Sequence, residues 1–326
     1  MATVKVLEQT MDKPRKKVLV ICGPTASGKS ATAIEVAQKI DGEIISADSM
    51  QIYRGLDIGT AKVTQDELQA VPHHLIDCCD PGDYFSVASY KRLALPAIES
   101  ILQQGKVPIV CGGTGQYISA LVEGIEFVDL PTDPELRQRF SKRVDEEGLE
   151  LLYQELCEID PETANRIKPQ DRKRIIRALE IFAQSGVRPS EHLAASRRGP
   201  TYDYHVYVLT HDRPILYQRI NHRVETMFDL GWVEEVQQLI KNSLSLLESN
   251  SAGQGGWQAI GYKEILSFLA GQQSEAETKA LIAQSSRRYA KRQLTWFRRI
   301  HGAVWINNLS PQDAALQIVE AWRETP

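Results

Sequence analysis

The sequence predicts an α/β fold: a P-loop-containing parallel sheet core with helices on both faces, plus an inserted helical subdomain. Three observations carry this expectation. Short apolar, β-branched runs alternate with amphipathic helical stretches in the first third of the chain. A glycine-rich phosphate-loop pattern sits between the first such run and the first such helix. The texture then turns charged and helical over 127–200, before a strand pattern returns. Alternating strands and helices imply parallel pairing with both sheet faces covered.

Taken in order, strands are expected over 18–22, 43–47, 74–77 and 107–111, each bounded by Gly, Asp or Pro. Such near-continuous apolar runs read as strands buried on both faces. Helices are expected over 29–40, where apolar residues recur every three to four positions, and over 86–104. Pro96 should kink or shorten the second of these, because proline removes a helix hydrogen bond and crowds the preceding turn. Within 127–200, Asp133-Pro134-Glu135 and Asp160-Pro161-Glu162 read as helix starts, with Asp at the N-cap and Pro in the first turn. A later strand over 204–210 rejoins the sheet, and the chain from 212 onward reads as helical, interrupted by a Ser/Gly/Asn-rich loop at 243–256. The expected domains are a disordered tail at 1–15, a P-loop catalytic core formed by 16–126 with 201–326, and the helical insertion at 127–200. No internal repeat is visible.

Bulk properties exclude several classes. No run approaches the roughly 18 to 20 apolar residues that span a bilayer, so no membrane association is expected. The N-terminal segment has no apolar h-region and carries Glu8 and Asp12. A cytoplasmic location follows as the expectation. Five cysteines, with no C-x-x-C pair, argue against a disulfide framework or a zinc ribbon. The adjacent His73 and His74 lack a third ligand at suitable spacing and read as structural. The net charge of −4 gives no hint of nucleic-acid binding. Two local clusters do: 287–299 holds six basic residues and no acid, and 166–177 is nearly as basic.

Gly23-Pro24-Thr25-Ala26-Ser27-Gly28-Lys29-Ser30 fits G-x-x-x-x-G-K-[ST] directly after a strand and before a helix. Loop amides and the helix N-terminus would face phosphate oxygens. Lys29 would neutralise the terminal phosphate, and the Ser30 hydroxyl would take a Mg²⁺ position. The loop is therefore read as nucleotide-binding in the broad sense, a site for a di- or triphosphate, ATP included. The residues alone do not select the compound. A metal-holding Asp at the end of a clean second apolar strand is wanting, Asp48 and Asp77 being the nearest, so ATP hydrolysis is not favoured.

Further motifs follow in order: Asp48-Ser49-Met50-Gln51 after the second strand, Asp57-Ile58-Gly59-Thr60-Ala61-Lys62, Pro72-His73-His74-Leu75-Ile76-Asp77, and Gly112-Gly113-Thr114-Gly115-Gln116-Tyr117. Gly261-Tyr262-Lys263-Glu264 and the run from Tyr289 to Arg298 complete the set. Together with the phosphate loop, this ordered set resembles the tRNA dimethylallyltransferases, the isopentenyl-pyrophosphate transferases that act on tRNA. The resemblance spans about 16–305. With no cysteine beyond Cys157, the chain resembles the bacterial type without a C-terminal zinc finger. Gln116, where many relatives have Leu, and the loop at 243–256 depart from the family pattern.

The resemblance implies transfer of a dimethylallyl group from dimethylallyl pyrophosphate to the exocyclic amine of an adenine beside the tRNA anticodon (position 37). It implies catalytic roles for Asp48 as general base, and for Thr114 and Arg223 at the pyrophosphate. It also implies donor binding by Gly23 through Ser30 with Mg²⁺ on Ser30. Contact with tRNA is implied at Asp48, Ser49, Met50, Gln51, Arg137, Lys173, Arg174, Ile175, Ile176, Arg177, Gly261, Tyr262, Lys263, Arg287, Lys291 and Arg292. A monomer is expected. The residues themselves leave Asp48 open to capping a turn or holding Mg²⁺ through water, Thr114 open to a helix cap, and Arg223 open to a solvated helix face. Two other functions use the same loop: a prenyltransferase for free adenine nucleotides, and a P-loop nucleotide kinase.

Overall fold

The computed structural model describes residues 15–125, 130, 133–196, 199–242 and 255–325. The tail expected at 1–15 and the loop expected at 243–256 therefore fall outside the described residues, except for Arg15, Gly255 and Gly256. The chain divides into two compact units, Met1–Val122 with Thr201–Pro326, and Glu123–Pro200.

The first unit is built on six parallel strands: β1 (Lys17–Cys22), β2 (Gly42–Ser46), β3 (His73–His74), β4 (Val107–Gly112), β5 (Asp203–Thr210) and β6 (Val304–Asn307). Their order across the sheet is β3-β2-β4-β1-β5-β6. The central strand explains the apolar run at the start of the sequence. Val18, Val20 and Cys22 point to one face and pack with Ile45, Val110 and Val208 and with Tyr90, Ala94, Ile98 and Ile101 of helix α3 (Val87–Gln103). Leu19 and Ile21 point to the other, against Ala33 and Val36 of helix α1 (Lys29–Ile40) and Ile318 of the last helix. Each fully buried side chain of this size contributes roughly 1.5–3 kcal/mol, and alternation sends successive residues to opposite layers.

Three sequence expectations change. The third strand is only His73–His74, not 74–77: Leu75 and Asp77 adopt φ of 62° and 53°, left-handed conformations that break the pleat. Helix α3 continues through Pro96 to Gln103, so the proline does not shorten it. Pro96 lies on its exposed side, where water reaches the backbone and the missing N–H costs least. The segment after 212 is not all helical, because Val304–Asn307 adds an edge strand paired with Tyr207–Thr210.

Helix α2 (Gln65–Ala70) starts with a capping box from Thr64 and Glu67, and α4 (Gly115–Val122) follows β4. The second unit holds α5 (Pro134–Glu147), α6 (Leu149–Ile159), α7 (Pro161–Arg166), α8 (Arg172–Ser185) and α9 (Pro189–Ala195). Asp133 and Asp160 cap α5 and α7 with Pro in the first turn. Its core includes Phe140, Leu152, Leu156, Ile175 and Leu179. Back in the first unit come α10 (Arg213–Asp229), α11 (Trp232–Asn242), α12 (Tyr262–Leu269), α13 (Glu275–Phe297) and α14 (Pro311–Glu324).

Candidate active site

Parallel order brings the loops after β1, β2 and β4 to one edge of the sheet, the usual place for a ligand crevice in open α/β folds. Gly23 through Ser30 leave β1 and enter α1, with Gly28 at φ 91° as the residue before the first helical turn. No acidic residue stands in that turn, so its electropositive end is uncompensated. The Ser27 amide donates to the Pro24 carbonyl, and Arg219 of α10 braces the loop by donating to the Ala26 carbonyl at 2.8 Å.

Within reach of this loop, a cavity of about 250 Å³ is lined by Thr25, Lys29, Ser30, Asp48–Gln51, Arg223, Tyr289 and Arg292, among others. Burial lowers the Lys29 ammonium below the ordinary lysine value of 10.5, with Asp48 pulling it back up and Arg223 pushing it further down. Burial likewise lowers Arg223, opposed by Asp48. Among the described residues neither cation forms an ion pair with a carboxylate. Two cations held short of full compensation beside amide-rich backbone make a receptor for an anion.

Asp48 stands at the end of β2. Its Oδ1 accepts the Met50 amide at 2.9 Å, so it does cap a turn, and it lines the cavity as well. Thr114 stands behind it and does not line the cavity. Its Oγ1 accepts the Ser49 amide at 2.9 Å and donates to Ser49 Oγ at 3.2 Å. Gln51 donates to the carbonyls of Ala61 (3.0 Å) and Thr60 (3.4 Å), and Arg223 Nη2 reaches the Thr60 carbonyl at 3.5 Å. Arg223 is thus tied into the cleft wall and is not a solvated helix residue.

The rest of the expected contact residues scatter. In the second unit Lys173 and Arg174 are exposed, with Arg174 3.5 Å from Asp171. Ile175 and Ile176, at 0% and 6% exposure, have their side chains in the core of that unit. Arg137 makes a double hydrogen bond to the buried Glu180 at 2.7 and 2.9 Å, and Arg177 donates to Glu180 at 3.3 Å and to the Leu130 carbonyl. Gly261 and Tyr262 are also buried, with the Tyr262 hydroxyl 2.7 Å from Glu235, whereas Lys263 is exposed. On α13, Arg292 faces the cleft and lies over the Tyr289 ring. Arg287 instead bonds Asn221 at 2.6 Å, and Lys291 lines a separate cavity with Arg213 and Arg298.

Three residues escape the sequence reading. Glu235 of α11 accepts the amides of Asp57 (2.9 Å), Ile58 (2.6 Å) and Gly59 (3.3 Å), anchoring the segment whose carbonyls receive Gln51 and Arg223. Tyr289 lines the cleft; burial raises its phenol, and Asp48 adds to the rise. Gln293 is buried between the loops after β1 and β4, its amide bonded to the Thr25 N–H and the Gly113 carbonyl. Around them, Gly59 and Gly261 both lie flat on the Trp232 indole, where an added Cβ would come within 2.2 and 2.0 Å of ring atoms. The motif from Tyr289 to Arg298 contains Tyr289 and Gln293 without marking either for the cleft, and a lone Glu such as Glu235 carries no sequence signal.

As for Mg²⁺, among the described residues no three His, Cys, Asp or Glu side chains cluster to hold a metal. His74 instead bonds Glu43 at 2.8 Å, and His73 the Val71 carbonyl. What the cleft offers is the Ser30 hydroxyl with Asp48 nearby. That sparse oxygen set fits Mg²⁺, which keeps water and takes phosphate oxygens to complete its shell.

Fold and cleft together define an α/β protein in which a glycine-rich loop after the first strand and two buried cations share one cavity with a carboxylate. Comparison with known proteins narrows this class. The IPP transferase family model matches residues 51–300. The chain is 45% identical over 295 residues to a tRNA dimethylallyltransferase of Exiguobacterium sp., covering 89% of this chain and 90% of that protein. It is 41% identical to the Bacillus subtilis protein of the same name, covering 94% and 96%. Among solved structures it matches the full-length tRNA isopentenylpyrophosphate transferase of Bacillus halodurans (38% identity, TM-score 0.67, 95% and 96% covered). It also matches a eukaryotic dimethylallyltransferase acting on tRNA (29% identity, TM-score 0.76, 94% and 77% covered). The chain belongs to the IPP transferase family.

Proposed function

We propose that this chain transfers a dimethylallyl group from dimethylallyl pyrophosphate to the exocyclic amine of adenine 37, beside the anticodon of tRNA, and releases pyrophosphate. The observation that carries the reading is the placement of Lys29 and Arg223, in no carboxylate ion pair among the described residues, in one cavity with Asp48. The loop of Gly23 through Ser30 holds the pyrophosphate, with Lys29 and Arg223 balancing its charge. The amine nitrogen attacks the first allylic carbon, the carbon–oxygen bond breaks, and its electron pair leaves on pyrophosphate. The proton released by the amine passes to the Asp48 carboxylate. Stabilising the charge that develops on the leaving group is the largest demand on the site. Mg²⁺ held at the Ser30 hydroxyl would neutralise pyrophosphate oxygens.

Asp48, Ser49, Met50 and Gln51 line the cavity and are assigned to the target base, which must leave its stack to enter. Thr114 holds the Ser49 turn behind them. Exposed Lys173, Arg174, Lys263 and Lys291, together with half-buried Arg287 and with Arg292, are assigned to RNA phosphates. Arg137 and Arg177 keep their donors on Glu180 and are assigned to shaping that surface. No helix among the described residues is long and apolar enough to cross a membrane, and a tRNA-modifying role supports work in the cytoplasm.

The test is a single assay with purified protein, Mg²⁺ and labelled dimethylallyl pyrophosphate, offered unmodified tRNA or AMP, with ATP consumption followed in parallel. Label in tRNA alone is the expected result. Label in AMP alone would move the assignment to a free-nucleotide prenyltransferase, and ATP consumption without label to a kinase.

A further inference from the structure

Gln293 sits in the last third of α13 with its side chain 4% exposed. Its Oε1 accepts the Thr25 N–H at 2.9 Å, and its Nε2 donates to the Gly113 carbonyl at 2.8 Å. The orientation of the amide is fixed by chemistry, because a backbone N–H can only donate and a carbonyl can only accept. Both partners belong to loops of the site. Thr25 is part of the phosphate loop, and Gly113 precedes Thr114, whose hydroxyl accepts the Ser49 amide next to Asp48. The Thr114 amide in turn donates to the Ala47 carbonyl at 3.0 Å, on the other side of Asp48. One buried amide therefore closes a bonded path from the phosphate loop to the Asp48 turn.

We propose that Gln293 is a positioning residue that fixes the spacing between the donor's pyrophosphate site and the Asp48 carboxylate. The inference rests on the functional reading above and adds to it the element that keeps the two halves of the reaction in register. Burial alone obliges such an amide to find partners, but it does not require that the two partners be backbone groups of the two loops that carry the site. A group that bridges two reacting loops instead acts on the transition state, where a displacement of about 1 Å costs on the order of 10²-fold in rate.

Two variants separate these roles. Gln293→Met keeps the length and loses both bonds. With unmodified tRNA and dimethylallyl pyrophosphate its kcat is expected to fall about 10- to 100-fold, while its dissociation constant for tRNA stays within about twofold of wild type. Gln293→Glu keeps the acceptor for Thr25 but, when ionised, sets a carboxylate against the Gly113 carbonyl. Once protonated, it regains the donor. Burial favours that neutral form, so the ratio of variant to wild-type kcat is expected to rise as pH falls from 9 to 6. Taking the ratio cancels whatever pH dependence the two proteins share. A ratio flat across this range, or a wild-type kcat in Gln293→Met, overturns the proposal. Failure of the wild-type protein to label tRNA would overturn the functional reading itself, and this inference with it, whatever the variants do.

Discussion

At the scale of single residues, Asp48 meets two demands with one carboxylate: Oδ1 caps the Met50 turn, and the group faces the cavity. Asp48→Asn keeps the capping acceptor and removes the base. In steady-state assays kcat is expected to drop by about 10² to 10⁴, with tRNA affinity within about twofold; a normal kcat would take Asp48 out of the mechanism. Lys29 gives a pH signature. Burial holds its ammonium below the ordinary value, so the charge is present at low pH and is lost before pH reaches 10.5. The donor's kcat/KM is accordingly expected to decline on the alkaline side, and Lys29→Ala should abolish that limb; an unchanged limb would refute it. Much of this was legible in the residues, because a phosphate loop announces itself by spacing. Burial did not announce itself. Ile175, Ile176 and Tyr262 sit inside motifs that resemble RNA contacts, yet they fill cores, since a short motif does not reveal which of its side chains turn inward.

Among the elements, the strands that were readable are those buried on both faces, where an uninterrupted apolar run can be accommodated in few other ways. The edge of the sheet was harder to read. β3 is two residues long because left-handed Leu75 ends it, and β6 is four residues with only Ile306 buried. Such strands owe their place to a neighbour, not to local propensity. The segment at 57–61 is a similar case, since its conformation depends on Glu235 from a helix far along the chain. Glu235→Ala leaves three amides and the Tyr262 hydroxyl without their acceptor, at a cost of about 1–3 kcal/mol for each buried group left unsatisfied. Thermal unfolding is expected at lower temperature. Because the carbonyls that receive Gln51 and Arg223 lose their anchor, kcat/KM should fall as well, even in the fraction that remains folded. Full specific activity in a destabilised protein would show that the segment positions nothing.

For the molecule as a whole, a net charge of −4 hides cationic groups gathered along α13, and average composition would have pointed away from a nucleic-acid partner. Replacing Arg287 and Lys291 together by Ala is expected to weaken tRNA binding and to flatten its dependence on salt, as fewer counterions are released; unchanged binding at all ionic strengths would exclude both residues from the interface. The two units differ in how far sequence reveals them. The second shows itself through capped, charged helices, while the cleft of the first is assembled from loops tens to hundreds of residues apart, which no local pattern can foretell. Trp232 turns that assembly into something visible. Its indole is buried under two glycines and forms part of the cavity wall, so a molecule entering the cavity changes the polarity around a chromophore the protein already carries. Titrating inorganic pyrophosphate or tRNA should then shift the intrinsic emission without any attached dye, and Trp232→Phe should remove that part of the signal, leaving the other four tryptophans as a constant background.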